Sequence, residues 1–93
     1  MGKIEKIIGK PALLEQLAEE CSELAQAVLK YSRVLRGENP TPVTEMEAYT
    51  KTIEEYTDVI QCAIELDLSI DQSQFVRKDK RWNERIKNNI EGC

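Results

Sequence analysis

Between Glu45 and Asp67 the apolar residues Met46, Tyr49, Ile53, Tyr56, Ile60, Ala63 and Ile64 fall on one arc of a helical wheel, and Val59, Cys62 and Leu66 widen it past half the circumference. A helix apolar over so wide a sector needs neighbours on two sides, as at the centre of a four-helix assembly. The chain has little else with which to supply them. Its 93 residues make one domain, and with 41% hydrophobic and 5% aromatic residues its own core is thin. The expected fold is all-α: a helical bundle of three main helices plus a short N-terminal helix, one domain over residues 1–93, completed by oligomerisation into a four-helix-type assembly.

The other helices follow from the same periodicity. Ile4, Ile7 and Ile8 mark a short helix over residues 3–8 that Gly9 ends. Pro11 suits the first turn of a long amphipathic helix that runs to about Arg36, with Leu13, Leu17, Leu24, Val28 and Leu35 on its buried face. Gly37 is placed to cap it, and Pro40 and Pro42 prevent its continuation. Thr44 followed by Glu47 has the spacing of a capping box, which starts the next helix near Glu45. Ser69 or Asp71 would cap a last helix carrying Phe75, Val76, Trp82, Ile86 and Ile90 inward. Lys78, Arg81 and Arg85 form a strip beside Trp82. Two readings of that strip stand side by side: contacts to an anionic ligand, or ion pairs with Glu84 and with acids of the preceding helix.

Seventeen acids against thirteen bases give a net charge of −4, which argues against binding long nucleic acid through a basic surface. The absence of histidine excludes His-based triads and His-ligated zinc. Cys21, Cys62 and Cys93 lack C-x-x-C spacing and are expected as reduced thiols of a cytoplasmic protein, the first two packed as small apolar groups and Cys93 frayed. Neither the opening Met-Gly nor the closing Glu-Gly-Cys is a lipidation signal, and no apolar run spans a bilayer, so no membrane association is expected.

The acids themselves are patterned. Glu20 and Glu23 lie three apart on one helix, Glu55 and Asp58 three apart on another, and each pair borders apolar residues. Two such pairs facing each other would repel and raise one another's pKa, and a divalent cation is the simplest relief. Hard oxygen ligands suit Mg²⁺, which accepts one or two carboxylates, waters and substrate phosphate.

Glu19-Glu20-x-x-Glu23 followed by Glu55-x-x-Asp58 resembles the E-E-x-x-E…E-x-x-D signature of the MazG-like, all-α nucleoside triphosphate pyrophosphohydrolases. The flanking Gln16-Leu17-Ala18, Glu23-Leu24-Ala25-Gln26-Ala27 and Ile53-Glu54-Glu55-Tyr56-Thr57-Asp58-Val59 are similar too, and the likeness covers roughly residues 13 to 87. It implies a homodimer or homotetramer that converts a (d)NTP to the monophosphate and pyrophosphate with Mg²⁺, or Mn²⁺ in its place. It further implies Glu20, Glu23, Glu55 and Asp58 as metal ligands, Glu19 as a further ligand or water-orienting carboxylate, and Lys78 and Arg81, with Arg85 beside them, as phosphate contacts. With no histidine, proton removal falls to a carboxylate such as Glu19 or Glu23, or to the metal itself. Trp82 stands where some relatives place a polar, nucleotide-contacting residue. The rival readings are a non-catalytic helical dimerisation module whose acids are solvated surface, and a related metal-dependent hydrolase of another phosphorylated nucleotide.

Overall fold

The computed structural model of the chain describes residues 3–38 and 42–91, and the expected turn at Pro40, the Met1-Gly2 start and the expected fraying at Cys93 lie outside them. The helices are α1 (Lys3–Ile8), α2 (Lys10–Arg36), α3 (Glu45–Glu65) and α4 (Gln72–Glu91). Among the described residues there is no strand, and no helix is long and apolar enough to cross a membrane.

Local chemistry sets the boundaries. Gly9, at φ 89°, separates α1 from α2 in a conformation that suits glycine, and Pro11 sits in the first turn of α2. Gly37 closes α2 in the left-handed region (φ 72°), its N–H and that of Glu38 donating to the carbonyls of Val34 and Arg33. The Thr44 hydroxyl accepts the Glu47 N–H at 3.1 Å and donates to the Glu47 carboxylate, so α3 begins where the capping-box spacing places it. The end of α3 repeats the closing pattern of α2 with a different residue. Leu68 N–H donates to Ala63 and Asp67 N–H to Ile64, while Asp67 takes the left-handed conformation (φ 62°) without being glycine. Of the two candidate caps for α4, Asp71 is the one used: its carboxylate accepts the Gln74 N–H at 3.0 Å and the Ser73 hydroxyl at 2.8 Å.

Helices α2 and α3 pack antiparallel. Small side chains let them approach: Ala27 and Ala48 are buried between them, and the Thr52 hydroxyl, bonded to Ala48 O at 2.9 Å, also reaches Ala27 O at 3.5 Å across the interface. Tyr31 meets Tyr49 edge to face at 6.1 Å, and α1 lies against both helices. Leu13 near the start of α2 and Leu66 at the end of α3 close the far end of the interface.

Among the described residues the buried apolar set is Leu13, Ala27, Ala48 and Leu66, with no large side chain fully enclosed. Met46, Tyr49, Ile53, Tyr56, Ile60 and Ile64 are all exposed, at spacings of three and four along α3. Helix α4 packs against none of the other helices, and Phe75, Val76, Trp82, Ile86 and Ile90, expected to point inward, face solvent, Trp82 being 64% exposed. The amphipathic pattern of α4 is correct, but its own chain offers that face nothing to pack on. The Cα radius of gyration is 17.5 Å, against ~12 Å for a compact chain of this length. The accessible surface is 7579 Å², about 2,000 Å² more than a folded monomer of this mass exposes.

Candidate metal centre

The two acidic pairs converge at the α2–α3 interface. One carboxylate oxygen from each of Glu20, Glu23 and Glu55 lies within 4.8 Å of the other two. Their burial is graded: Glu55 is 6% exposed, Glu20 is half-buried and Glu23 is exposed. The helical wheel alone places Glu55 only at the edge of the apolar sector of α3. The close approach permitted by Ala27 and Ala48 carries it into the interface.

Glu20 and Glu55 are held alike, each by a donor four residues earlier on its own helix. Gln16 Nε2 donates to Glu20 Oε1 at 2.8 Å, and Lys51 Nζ pairs with Glu55 Oε1 at 2.9 Å. In both residues the other oxygen, Oε2, is buried without a hydrogen-bond partner. Glu5 and Glu65, outside the cluster, also carry such an oxygen. An unpartnered carboxylate oxygen out of reach of water costs on the order of 1–3 kcal/mol, more when charged. Two of them stand beside a third carboxylate, that of Glu23.

The electrostatics agree. Glu23 is held above the ordinary carboxylate range, first by the charge of Glu20, then by a side-chain hydrogen bond with Glu20 and by partial desolvation, with Glu55 and Glu19 adding repulsion. Asp58, half-buried one turn beyond Glu55, is raised first by desolvation and then by Glu20 and Glu55. Asp58 therefore feels the cluster, although the trio within 4.8 Å comprises Glu20, Glu23 and Glu55. Glu19 is exposed and acts on the cluster through its charge on Glu23. The Lys51 ammonium is raised, chiefly by its hydrogen bond to Glu55.

The donor set fits a hard divalent cation. At Mg²⁺–oxygen distances of about 2.0–2.1 Å, oxygens on opposite sides of the ion stand about 4.2 Å apart.

Beside the cluster a cavity of ≈ 460 Å³ is lined by Glu23, Gln26, Ala27, Lys30, Lys51 and Glu55, so two lysines face the same space as two of the acids. The sequence reading passed over both lysines. Lys51 was legible as the i−4 partner of Glu55, and Lys30 lies two turns beyond Glu23 on the same side of α2. Lys78, Arg81 and Arg85 do share a strip, lining with Trp82 a surface concavity of ≈ 220 Å³. That concavity is on α4, and within one chain α4 does not reach the acids. Both described cysteines are free. Cys62 is half-buried, as a packed thiol should be, and burial raises its pKa; Cys21 is exposed, contrary to expectation.

The chain matches no protein-family model, no curated protein and no solved structure.

Proposed function

We propose that the chain is a Mg²⁺-dependent nucleoside triphosphate pyrophosphohydrolase, with Mn²⁺ able to replace Mg²⁺, working as a homo-oligomer in the cytoplasm. The observation that carries this reading is the buried carboxylate of Glu55, its Oε2 unpartnered and one of its oxygens within 4.8 Å of carboxylate oxygens of Glu20 and Glu23 across a helix interface. The lysines on the adjoining cavity and the sequence resemblance to the MazG-like enzymes support phosphate as the other ligand. The excess accessible surface supports association.

In this reading Glu20, Glu23 and Glu55 hold the ion, with Asp58 one turn on as the fourth carboxylate. When bound, the cation supplies charge neutralisation on the phosphate oxygens and makes a neighbouring water more acidic. The remaining work belongs to side chains. Gln16 and Lys51 fix the orientation of Glu20 and Glu55. Lys30 and Lys51 place positive charge where the β- and γ-phosphates lie, stabilising pyrophosphate as it leaves. Water attacks the α-phosphorus, the bond from that phosphorus to the bridging oxygen breaks, and the water proton passes to a carboxylate. Glu23 is suited to that role because it is exposed and its pKa is raised; Glu19 stands beside it on α2.

Pyrophosphate release from each (d)NTP, assayed with Mg²⁺, tests the reading. Turnover of at least one nucleotide is expected, lost in Glu20→Ala and in Asp58→Ala while the far-UV helix signal persists. Turnover surviving in both variants would overturn the ligand assignment. Release of phosphate instead from another phosphorylated nucleotide would shift the substrate class. The exposed apolar rows of α3 and α4 favour the second reading, a non-catalytic dimerisation module, which no hydrolysis of any nucleotide would support.

A further inference from the structure

The chain is electrically divided. Helix α4 carries six bases and three acids, a net +3, so the rest of the chain holds −7 of the total −4. This basic helix is amphipathic, with Phe75, Trp82, Ile86 and Ile90 along one stripe and Lys78, Arg81 and Arg85 along its flank, and it touches no other helix of its chain. Helix α3 presents the complementary surface. Its exposed row from Met46 to Ile64 is unpartnered, and about 130° round the helix run the acids Glu47, Glu54, Asp58 and Glu65 on the side of the candidate metal centre. The two helices are of like length, 20 and 21 residues or about 30 Å each.

We propose that α4 is an exchanged arm: its apolar stripe lies along the exposed row of α3 in a second copy of the chain, and Lys78, Arg81 and Arg85 meet that copy's acidic row. Pairing α3 with α3 would cover the same apolar residues, but it sets six acids and one base against the same set, a net −5 on each side. Pairing α3 with α4 sets −5 against +3. Two reciprocal exchanges bury both unpartnered rows of both chains, and the surplus surface of about 2,000 Å² per chain exceeds the roughly 800 Å² per partner of a standard interface. The cationic strip then stands on the acid-bearing side of the partner's α3, so each metal centre borders bases that its own chain cannot deliver.

Chains labelled with ¹⁴N and ¹⁵N, unfolded together, refolded as an equal mixture and joined by a zero-length carbodiimide, test this. Cross-linked peptides uniting Lys78 of α4 with α3 carboxylates (Glu47, Glu54) should be isotope-mixed in about half of the pairs. Exclusively unmixed pairs would mean that α4 folds back on its own chain, and absence of α3–α4 pairs would mean that it docks elsewhere; either overturns the proposal. Charge reversal supplies a second readout. Arg81→Glu with Arg85→Glu should weaken the dimer at least tenfold by sedimentation, and Glu47→Lys with Glu54→Lys in the same chain should restore it. A wild-type monomer at every concentration, or a dimer indifferent to the first pair of changes, contradicts the exchange. None of these measurements depends on hydrolysis, so an inactive but mixed-isotope dimer would sink the enzyme reading and leave the exchange standing.

Discussion

The α2–α3 pair and α4 differ in what each lacks. Helices α2 and α3 have each other, enclose four acids between or beside them, and lack a partner for Oε2 of Glu20 and of Glu55. Helix α4 has positive charge and an apolar stripe and lacks a surface to lie on. In the proposed reading the first deficit is met by an ion and the second by another chain. Burial tells them apart: the orphan oxygens of α2 and α3 are inside, whereas every described side chain of α4 is outside. A missing partner for a buried polar atom points inward to a ligand, and a missing partner for an exposed apolar row points outward to a macromolecule.

The sharpest way to break this division is Glu55→Gln. An amide there keeps the shape but removes a charged ligand, so turnover should fall by at least on the order of a hundredfold. The sedimentation behaviour set by α4 should not change.

The pH responses of the two regions should have opposite signs. Glu23 and Asp58 are raised, so between the ordinary carboxylate range and their folded values the folded state binds more protons than the unfolded one. The metal-free α2–α3 pair should therefore lose stability as pH rises through that window. Asp71 is lowered, chiefly by the Gln74 N–H it accepts and next by the Ser73 hydroxyl. The contribution of its cap is present above the ordinary range and is lost as pH falls through the folded value. Thermal melts followed across acid pH by the helix signal, with and without Mg²⁺, separate the two. Saturating Mg²⁺ should cancel the loss at higher pH and leave the acid-side loss of the α4 cap untouched.

Lys51→Met leaves the buried Glu55 carboxylate without its ammonium, and the metal-free melting temperature should drop by roughly a few degrees. A smaller effect distinguishes the caps. Thr44→Ala, at the start of α3, should cost about 1 kcal/mol in global unfolding. Asp71→Ala should instead show as fraying of α4, read by amide exchange at residues 72–75, with little change in exchange between α2 and α3.

Periodicity and cap chemistry made most of the secondary structure legible. The spacing of apolar residues reported α2, α3 and α4, and Gly9, Gly37, Thr44 and Asp71 stand at their boundaries for stereochemical reasons visible in the sequence. Asp67 was not legible as a helix stop, because a left-handed residue is expected to be glycine. Spacing also put Glu20 and Glu23 on one strip and Glu55 on another. Their convergence depended on Ala27 and Ala48, whose small size sets an interhelical distance that no wheel displays. The stripe of α4 was expected to point inward and is exposed instead, because periodicity records that a face is apolar and not what, if anything, covers it.

The central claim is that Glu20, Glu23 and Glu55 form a divalent-cation site, and Mn²⁺ binding followed by loss of its free-ion paramagnetic resonance tests it most directly. The wild-type chain should show saturable binding that Mg²⁺ displaces and that Glu55→Gln abolishes. Binding that is absent, or equally strong in Glu55→Gln, would contradict the claim.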